Sequence, residues 1–185
     1  MISTTTINQS WTNSDVLKRG VAWGVIAGIV FALFEMVMNP ILGQPFWGPL
    51  RMISSIALGA QALDPGYSVL TAGAVGLIIH VILSAVYGVI FVSLLGLIKR
   101  FNAPLNTRML FGLLFGLALW VINFLIIAPV AFPQFTEMNQ FWNGFVAHTF
   151  VFGAALGIFA TVSKEITAAS ITRIEPVSEQ QKRTA

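Results

Sequence analysis

The chain has 185 residues, of which 56% are hydrophobic and only 9% are charged, and its mean hydropathy is +0.83. A soluble domain carries about 25% charged residues, so this chain has too few charges to cover the surface of a globule. Composition therefore predicts a body embedded in a lipid bilayer. The sequence contains no cysteine, which excludes disulfides, thiolate metal ligands, iron–sulfur clusters and cysteine nucleophiles.

Hydropathy along the chain predicts an all-α bundle of four transmembrane helices. Residues 1–17 form a polar lead, and Ser14 or Asp15 is expected to cap the first helix. A spanning helix needs roughly 20 mostly apolar residues, and four segments reach that length: about Gly20 to Met38, Val69 to Ile98, Met109 to Val130, and Phe141 to Val162. The first is interpreted as an uncleaved anchor because no small-x-small cleavage site follows it. A single membrane domain over residues 18–163 then precedes a cytoplasmic tail, 164–185, whose end is polar enough for disorder.

The stretch between the first two helices differs from a simple loop. It contains Pro40, Pro45 and Pro49, followed by the apolar run 50–60. This run is too short to cross a bilayer, so we expect an interfacial or re-entrant segment, 45–63, on the outer side.

The basic residues predict the topology. With a cytoplasmic N-terminus and four crossings, nine of the ten Lys and Arg residues are cytoplasmic: Lys18, Arg19, Lys99, Arg100, Arg108, Lys164, Arg173, Lys182 and Arg183. Only Arg51 is outside. The positive-inside rule thus predicts a membrane protein with both termini cytoplasmic. The pI of about 9.7 reflects these scattered loop-end charges, so we expect the lipid bilayer and not nucleic acid as the partner. A homo-oligomer or a partner membrane subunit stays open.

Glycine spacing indicates an internal duplication of helices 1–2 in helices 3–4. Helix one carries Gly24, Gly28, Glu35 and Pro40, whereas helix three carries Gly112, Gly116, Asn123 and Pro129. Helix two has Gly76 four residues before His80, and helix four has Gly144 four residues before His148. Residues four and seven apart share a helical face, so Gly24, Gly28, Gly112 and Gly116 are predicted to mediate close helix packing. The alternative is that glycines at this spacing are common packing devices in membrane helices.

One layer of polar residues is the candidate functional site. Counted at about 1.5 Å per residue from the cytoplasmic anchors, Glu35, His80, Asn123 and His148 reach a similar depth in the outer half of the bilayer. Ser84 and Tyr87 lie one and two turns below His80 and extend the polar path. Ionisable groups are costly inside a bilayer and usually find partners within the bundle. We therefore expect Glu35 to lie within direct or water-mediated reach of at least one histidine, in a site that shuttles protons, binds a cation or holds a polar head group.

Other interpretations of these residues remain open. Each histidine, Glu35 and Asn123 is also compatible with a purely structural role in helix pairing. Two histidines and a glutamate match an open zinc site in ligand type, but no H-E-x-x-H motif supports a metal, and none is predicted. Two histidines at similar depth are also what a bis-histidyl haem b would use. Arg51 belongs either to an interfacial belt or to a positive outer gate above the polar layer.

The pattern resembles the YagU-like inner-membrane proteins of bacteria. The resemblance rests on the segments 24–28, 80–84 and 112–116 and on the single histidine of helix four, His148. It implies a small polytopic protein of a bacterial-type cytoplasmic (inner) membrane, with a link to acid tolerance.

The favoured function is proton or small-solute handling or sensing through the intramembrane Glu–His site. The alternatives are a structural or accessory subunit without transport activity and a haem b electron-transfer subunit. No catalytic motif supports enzyme activity, since the sequence lacks G-x-S-x-G, a Walker loop and a dinucleotide fingerprint.

Overall fold

The computed structural model of this chain describes residues 12–97, 104–135 and 141–162. The predictions for the polar lead before residue 12 and for the tail 164–185 fall outside these residues. The described chain forms five helices: α1 Asn13–Ile41, α2 Gly48–Leu58, α3 Val69–Leu97, α4 Leu105–Ala131 and α5 Phe141–Val162. Short 3-10 turns lie at Ala60–Leu63 and Pro133–Phe135.

Four of the five helices are long and apolar enough to cross a membrane: α1, α3, α4 and α5. Their outward faces expose large aliphatic side chains, among them Leu33, Ile78, Leu114 and Ile158, which are 46–60% exposed. A soluble protein rarely leaves so continuous an apolar surface in water, whereas lipid covers it without cost. The predicted all-α four-helix bundle is therefore confirmed, and the chain is a multi-pass membrane protein.

Helix α1 begins earlier than its apolar run. Thr12 is the N-cap, because its hydroxyl accepts a hydrogen bond from the Asp15 N–H at 3.2 Å while the Asp15 carboxylate accepts from the Thr12 N–H at 3.1 Å. This capping box satisfies two otherwise unpaired donors of the first turn. The prediction that Ser14 or Asp15 is the cap was wrong, since both lie inside the helix. Hydropathy detects only the apolar part of a helix, not its polar first turns.

The predicted short segment on the α1–α3 connection contains helix α2. Its 11 residues span roughly 16 Å at 1.5 Å per residue, about half a bilayer core. It packs against α3, and the Leu50 carbonyl lies directly against Gly76. The end of the bundle that carries α2 is called the α2 end below, and the end where α1 begins is called the opposite end.

The helices form two tightly packed pairs, α1 with α3 and α4 with α5, and the pairs are joined by α1 against α5. Glycines make each pair close. Gly24 and Gly28 of α1 lie against the backbone or side chain of Ser84 on α3. Gly112 and Gly116 of α4 lie against the carbonyls of Gly153 and His148 on α5. The missing side chains allow backbones to approach more closely than larger residues permit.

Helices α3 and α4 stand apart by comparison. Among the described residues they meet mainly through side chains, with the fully buried Phe91 packing on Phe111 and Phe115 at centroid distances of 5.4 and 5.3 Å. These rings belong to the central apolar core and lie towards the opposite end. Towards the α2 end, the gap between α3 and α4 leaves room for a cavity.

Candidate functional site: an intramembrane cavity

A cavity of about 330 Å³ lies between the four long helices. All six residues of the predicted polar site line it: Glu35, His80, Ser84, Tyr87, Asn123 and His148. They come from α1, α3, α4 and α5, so the tertiary fold brings together residues more than 100 positions apart. The rest of the wall is apolar and rich in phenylalanine. The volume lies in the range of small-molecule sites, which are typically apolar with few polar groups.

His80 is fixed by the glycine face of α1. Its Nε2 lies 2.8 Å from the Gly28 carbonyl oxygen, which can only accept, so Nε2 carries the proton and donates. Gly28 permits this contact because it has no side chain between the two helices. The imidazole is 7% exposed. Its Nδ1 is left as an acceptor without a hydrogen-bond partner among the residues described.

His148 has the opposite tautomer. Its Nδ1 lies 2.8 Å from the Gly144 carbonyl oxygen, four residues earlier on α5, and therefore donates to it. Nε2 is then the acceptor, and within the described chain it also lacks a hydrogen-bond partner. Phe31 contacts both histidines, with ring-centroid distances of 5.4 Å to His80 and 4.8 Å to His148. Both neutral rings are thus oriented by backbone carbonyls and packed on one phenylalanine.

This arrangement bears on metal and haem binding. No group of three or more His, Cys, Asp or Glu side chains placed to hold a metal ion occurs in residues 12–97, 104–135 and 141–162. An iron bound through Nε2 of His80 would have to break the hydrogen bond to Gly28. It would also have to lie beside the Phe31 ring that packs on both imidazoles. The geometry gives the haem b interpretation no support.

Glu35 does not pair with a histidine. Its Oε1 accepts a hydrogen bond from the Asn143 side-chain amide at 3.4 Å, and the same nitrogen lies 3.5 Å from Oδ1 of Asn39. The Asn39 amide in turn donates to the Pro45 carbonyl at 3.3 Å. A direct bond from Glu35 to a histidine is thus corrected to an amide ladder that rises towards the α2 end. The reason is that Asn143, on the neighbouring α5, occupies the hydrogen-bonding position beside Glu35. Water-mediated reach between Glu35 and a histidine across the cavity stays a prediction.

The Glu35 carboxyl group has no positively charged partner in the described part of the chain. The residue is only 2% exposed, and its single hydrogen bond uses Oε1. Oε2 has no protein partner there, yet it is not enclosed by protein atoms, which agrees with the position of Glu35 on the cavity wall.

Tyr87 and Asn123 close the cavity towards the opposite end. The Tyr87 hydroxyl donates to Oδ1 of Asn123 at 3.0 Å and connects α3 with α4. One turn further along α3, Phe91 begins the aromatic core described above. The expectation that Tyr87 extends a polar path therefore ends at this hydrogen bond, because the next layer is apolar.

Two π-helical segments shape the wall. Helix α4 is π-helical over Val121–Ile127, and α5 is π-helical over Ala147–Phe152. Asn123 and His148 lie in these segments, and both backbone carbonyls accept from the residue five positions later. Such wide turns are rare in proteins as a whole, but those that occur are often at functional sites. Hydropathy carries no signal for them, so the sequence did not predict them.

Helix α2 and the turn after α4 cover the cavity at the α2 end. Met52, Ile53 and Ile56 contribute from α2, and Phe132 and Phe135 contribute from the turn. The Gln134 amide donates to the Ser55 hydroxyl at 3.2 Å and ties these two covers together. The short segment on the α1–α3 connection is thus a wall of the site.

Arg51 has no place in the cavity. Its guanidinium donates to the carbonyl oxygens of Asp64 at 2.6 Å, Tyr67 at 2.8 Å and Ala62 at 3.3 Å. These bonds use a buried cation to fold the connection between α2 and α3. The prediction of a positive gate above the polar layer is therefore corrected, because the charge is turned towards backbone carbonyls and away from the cavity wall.

Sequence reasoning missed Asn39 and Asn143. Asn39 is 1% exposed and lies one turn beyond Glu35 on the same face of α1, so the stripe of Gly24, Gly28 and Glu35 extended by four residues would have found it. Asn143 had no such signal, because the π-helical segment shifts the face of α5 between it and His148.

Comparison with protein-family models, with curated proteins and with solved structures finds no match to this chain.

Proposed function

We propose that this multi-pass membrane protein handles or senses protons or a small solute through Glu35, His80 and His148. The cavity is where a small solute binds. The observation that carries the proposal is the convergence of six polar side chains from four helices on one otherwise apolar cavity. Polar and ionisable groups are costly in a bilayer. A protein that needed only helix pairing would gain more from burying them in contact with each other.

The orientation of the polar atoms supports binding over packing. One nitrogen of each imidazole is used by a backbone carbonyl, and the second is left without a protein partner. The same division holds for the two oxygens of Glu35. Each side chain is thus fixed by one bond and keeps one acceptor for a bound molecule or for water.

The cavity belongs to one side of the membrane in this proposal. The aromatic core of Phe91, Phe111 and Phe115 separates it from the opposite end. We propose that the α2 end faces outwards and that both termini are cytoplasmic in a bacterial-type inner membrane, from the distribution of basic residues and the positive-inside rule. Reporter fusions after Ala185 and in the loop at Gly43 should report opposite sides; the same side would overturn the topology.

Two further relationships stay proposals. The first is an internal duplication, favoured because the glycine pair of α1 lies on the His80-bearing α3 and the glycine pair of α4 lies on the His148-bearing α5. The second is membership of the YagU-like proteins, which rests on the glycine and histidine segments of the sequence.

The rival function is a structural or accessory subunit whose polar layer only fixes helix pairing. Access of water-soluble molecules to the cavity separates the two. Because the chain has no cysteine, single cysteines can be placed without background. Leu83 lines the cavity, its neighbour Ile82 is 56% exposed on the lipid face, and Val92 is fully buried.

The experiment compares how fast a small, neutral, hydrophilic thiol reagent, 2-hydroxyethyl methanethiosulfonate, modifies Leu83→Cys, Ile82→Cys and Val92→Cys in proteoliposomes. The solute-binding proposal expects Leu83→Cys to react at least about tenfold faster than both controls, because thiolate forms in a hydrated site and is suppressed in lipid and in a packed core. If Leu83→Cys reacts as slowly as Val92→Cys, the cavity is closed to polar solutes and the structural function replaces ours.

A further inference from the structure

The polar atoms that face the cavity without a partner are mostly hydrogen-bond acceptors. Three of them are acceptors, Nδ1 of His80, Nε2 of His148 and one carboxyl oxygen of Glu35, as derived above from the bond that fixes each group. The Ser84 hydroxyl can accept or donate, and the Asn123 side-chain nitrogen is a donor. The Tyr87 hydroxyl is already used as a donor to Asn123. A molecule that presents donors or a positive charge would complement this wall, whereas an anion would face three acceptors.

The charge of the cavity wall also favours a positively charged ligand. Glu35 forms no ion pair with any described residue, and the only cation on α2, Arg51, is held by carbonyl oxygens outside the cavity lining. A buried imidazole costs least in its neutral form, and the carbonyl contacts then fix the tautomer of each ring. When Glu35 is ionised, the cavity therefore carries an uncompensated negative charge in a medium of low dielectric constant, where an opposite charge is attracted strongly.

The remaining lining favours an apolar body with aromatic contacts. Six aromatic side chains contribute to it: Phe31, Tyr87, Phe124, Phe132, Phe135 and Phe152. The faces of such rings attract organic cations, and aromatic cages are the usual means of recognising alkylated ammonium groups. A strongly hydrated metal ion gains little from this surface, because its dehydration cost needs oxygen ligands that the phenylalanines do not offer.

We propose that the ligand of this cavity is a lipophilic organic cation, an alkylated or aryl ammonium whose charge lies against Glu35 and whose apolar body lies among the phenylalanines. This inference rests on the proposed function, because it names the chemical class of the solute that the cavity binds. The histidine acceptors receive N–H or O–H donors of the same molecule where it has them. A buried carboxylate without a positively charged protein partner is thereby neutralised by the ligand.

The experiment measures the sign of the charge that the cavity selects. Leu83→Cys is modified at pH 8.5 with two reagents of similar size, 2-(trimethylammonium)ethyl and 2-sulfonatoethyl methanethiosulfonate. The ratio of the two rates is divided by the same ratio for a free thiol in solution. The corrected ratio of the cation rate to the anion rate should be about ten or more. It should fall towards one in the double variant Leu83→Cys/Glu35→Gln, which keeps the side-chain shape and removes the charge.

Phenyltrimethylammonium provides the equilibrium test. It should slow modification of Leu83→Cys by the neutral 2-hydroxyethyl reagent, and Glu35→Gln should weaken that protection at least about tenfold in concentration. The neutral isostere tert-butylbenzene tests the apolar body without the charge and should protect less.

The outcomes separate this inference from the proposed function. If Leu83→Cys reacts rapidly with the neutral reagent but its corrected charge ratio is at or below one, the cavity binds solutes and the cation class is wrong. Equal protection by phenyltrimethylammonium and tert-butylbenzene, unchanged by Glu35→Gln, also overturns the cation class and indicates a neutral apolar ligand. If no reagent reaches Leu83→Cys, the proposed function itself fails. Near-ultraviolet circular dichroism of Glu35→Gln checks that the variant is folded.

Discussion

The substitution Gly24→Ala tests whether backbone contact holds the α1–α3 pair together. A Cβ at this position would meet the Ser84 carbonyl oxygen and would lie 2.9 Å from the Gly88 Cα and 3.0 Å from the Ser84 carbonyl carbon. All of these are backbone atoms, so the clash cannot be relieved by a rotamer change, and the two helices must move apart. The single methyl group therefore reports on the whole helix pair.

Gly73→Ala is the matched control. Gly73 is also a buried glycine inside a transmembrane helix, α3, but a Cβ there would meet only the Trp47 ring at 3.7 Å, an ordinary van der Waals contact. Both substitutions gain the same helix propensity, roughly 0.8–1 kcal/mol in water. Their difference is thus the cost of overpacking, typically about 1–3 kcal/mol. This corresponds to a loss of roughly 5- to 150-fold in the folding equilibrium constant of Gly24→Ala relative to Gly73→Ala.

The assay is equilibrium unfolding of each variant by sodium dodecyl sulfate titrated into dodecyl maltoside micelles, followed by the near-ultraviolet circular dichroism of the five tryptophans. Gly24→Ala should unfold at a clearly lower mole fraction of dodecyl sulfate than Gly73→Ala, and the parent should lie with the control or slightly below it. If the two alanine variants unfold together, α1 and α3 are not in backbone contact at Gly24, and the close pairing of these helices is wrong.

Three further substitutions test separate contacts by the same unfolding assay. Gly28→Leu should destabilise the protein by more than Leu33→Ala, which removes atoms only from a lipid-facing side chain that is 60% exposed; equal stability would place Gly28 against lipid. Arg51→Met should lower the free energy of unfolding by about 1.5–3 kcal/mol or more, because three carbonyls lose a charged donor. It should also make the α2–α3 connection more susceptible to cleavage by chymotrypsin; unchanged cleavage would contradict this. Asn143→Leu should destabilise the protein by about 1–3 kcal/mol, and Glu35→Gln should recover part of that loss in the double variant; additive effects would show that the two side chains do not interact.

The helices were predictable because a single strong signal specifies them. The apolar run from Val69 is bounded by polar residues, and the observed α3 begins at that residue. The start of α1 was not predictable to the same accuracy, because residues 13–19 include charged side chains that continue the helix in water or at the interface. There the signal is the pairing of Thr12 with Asp15, a local hydrogen-bond pattern that hydropathy does not contain.

The positions of the site residues followed from helix periodicity, whereas their partners did not. Counting residues along straight helices placed Glu35 and His148 at a common depth, and both line one cavity. The same counting could not show that Asn143 would reach Glu35, because the π-helical segment of α5 rotates the residues before it relative to those after it. Charge alone also left Arg51 open between an interfacial belt and an outer gate, since a buried guanidinium satisfied by carbonyls cannot be told from an exposed charge in the sequence.

The cavity and the glycine contacts have a common physical origin. In each helix pair, the first helix presents glycines that draw the second helix into backbone contact, so little room is left for side chains between them. Side chains of α3 and α4 meet in the space between the pairs instead, where Tyr87 and Asn123 line the wall and are joined by a hydrogen bond. Close contact between the two helices of each pair thus leaves a volume between one pair and the other. The polar groups on the cavity wall then gain a place inside the bilayer where they avoid lipid and keep one atom each available to a bound molecule.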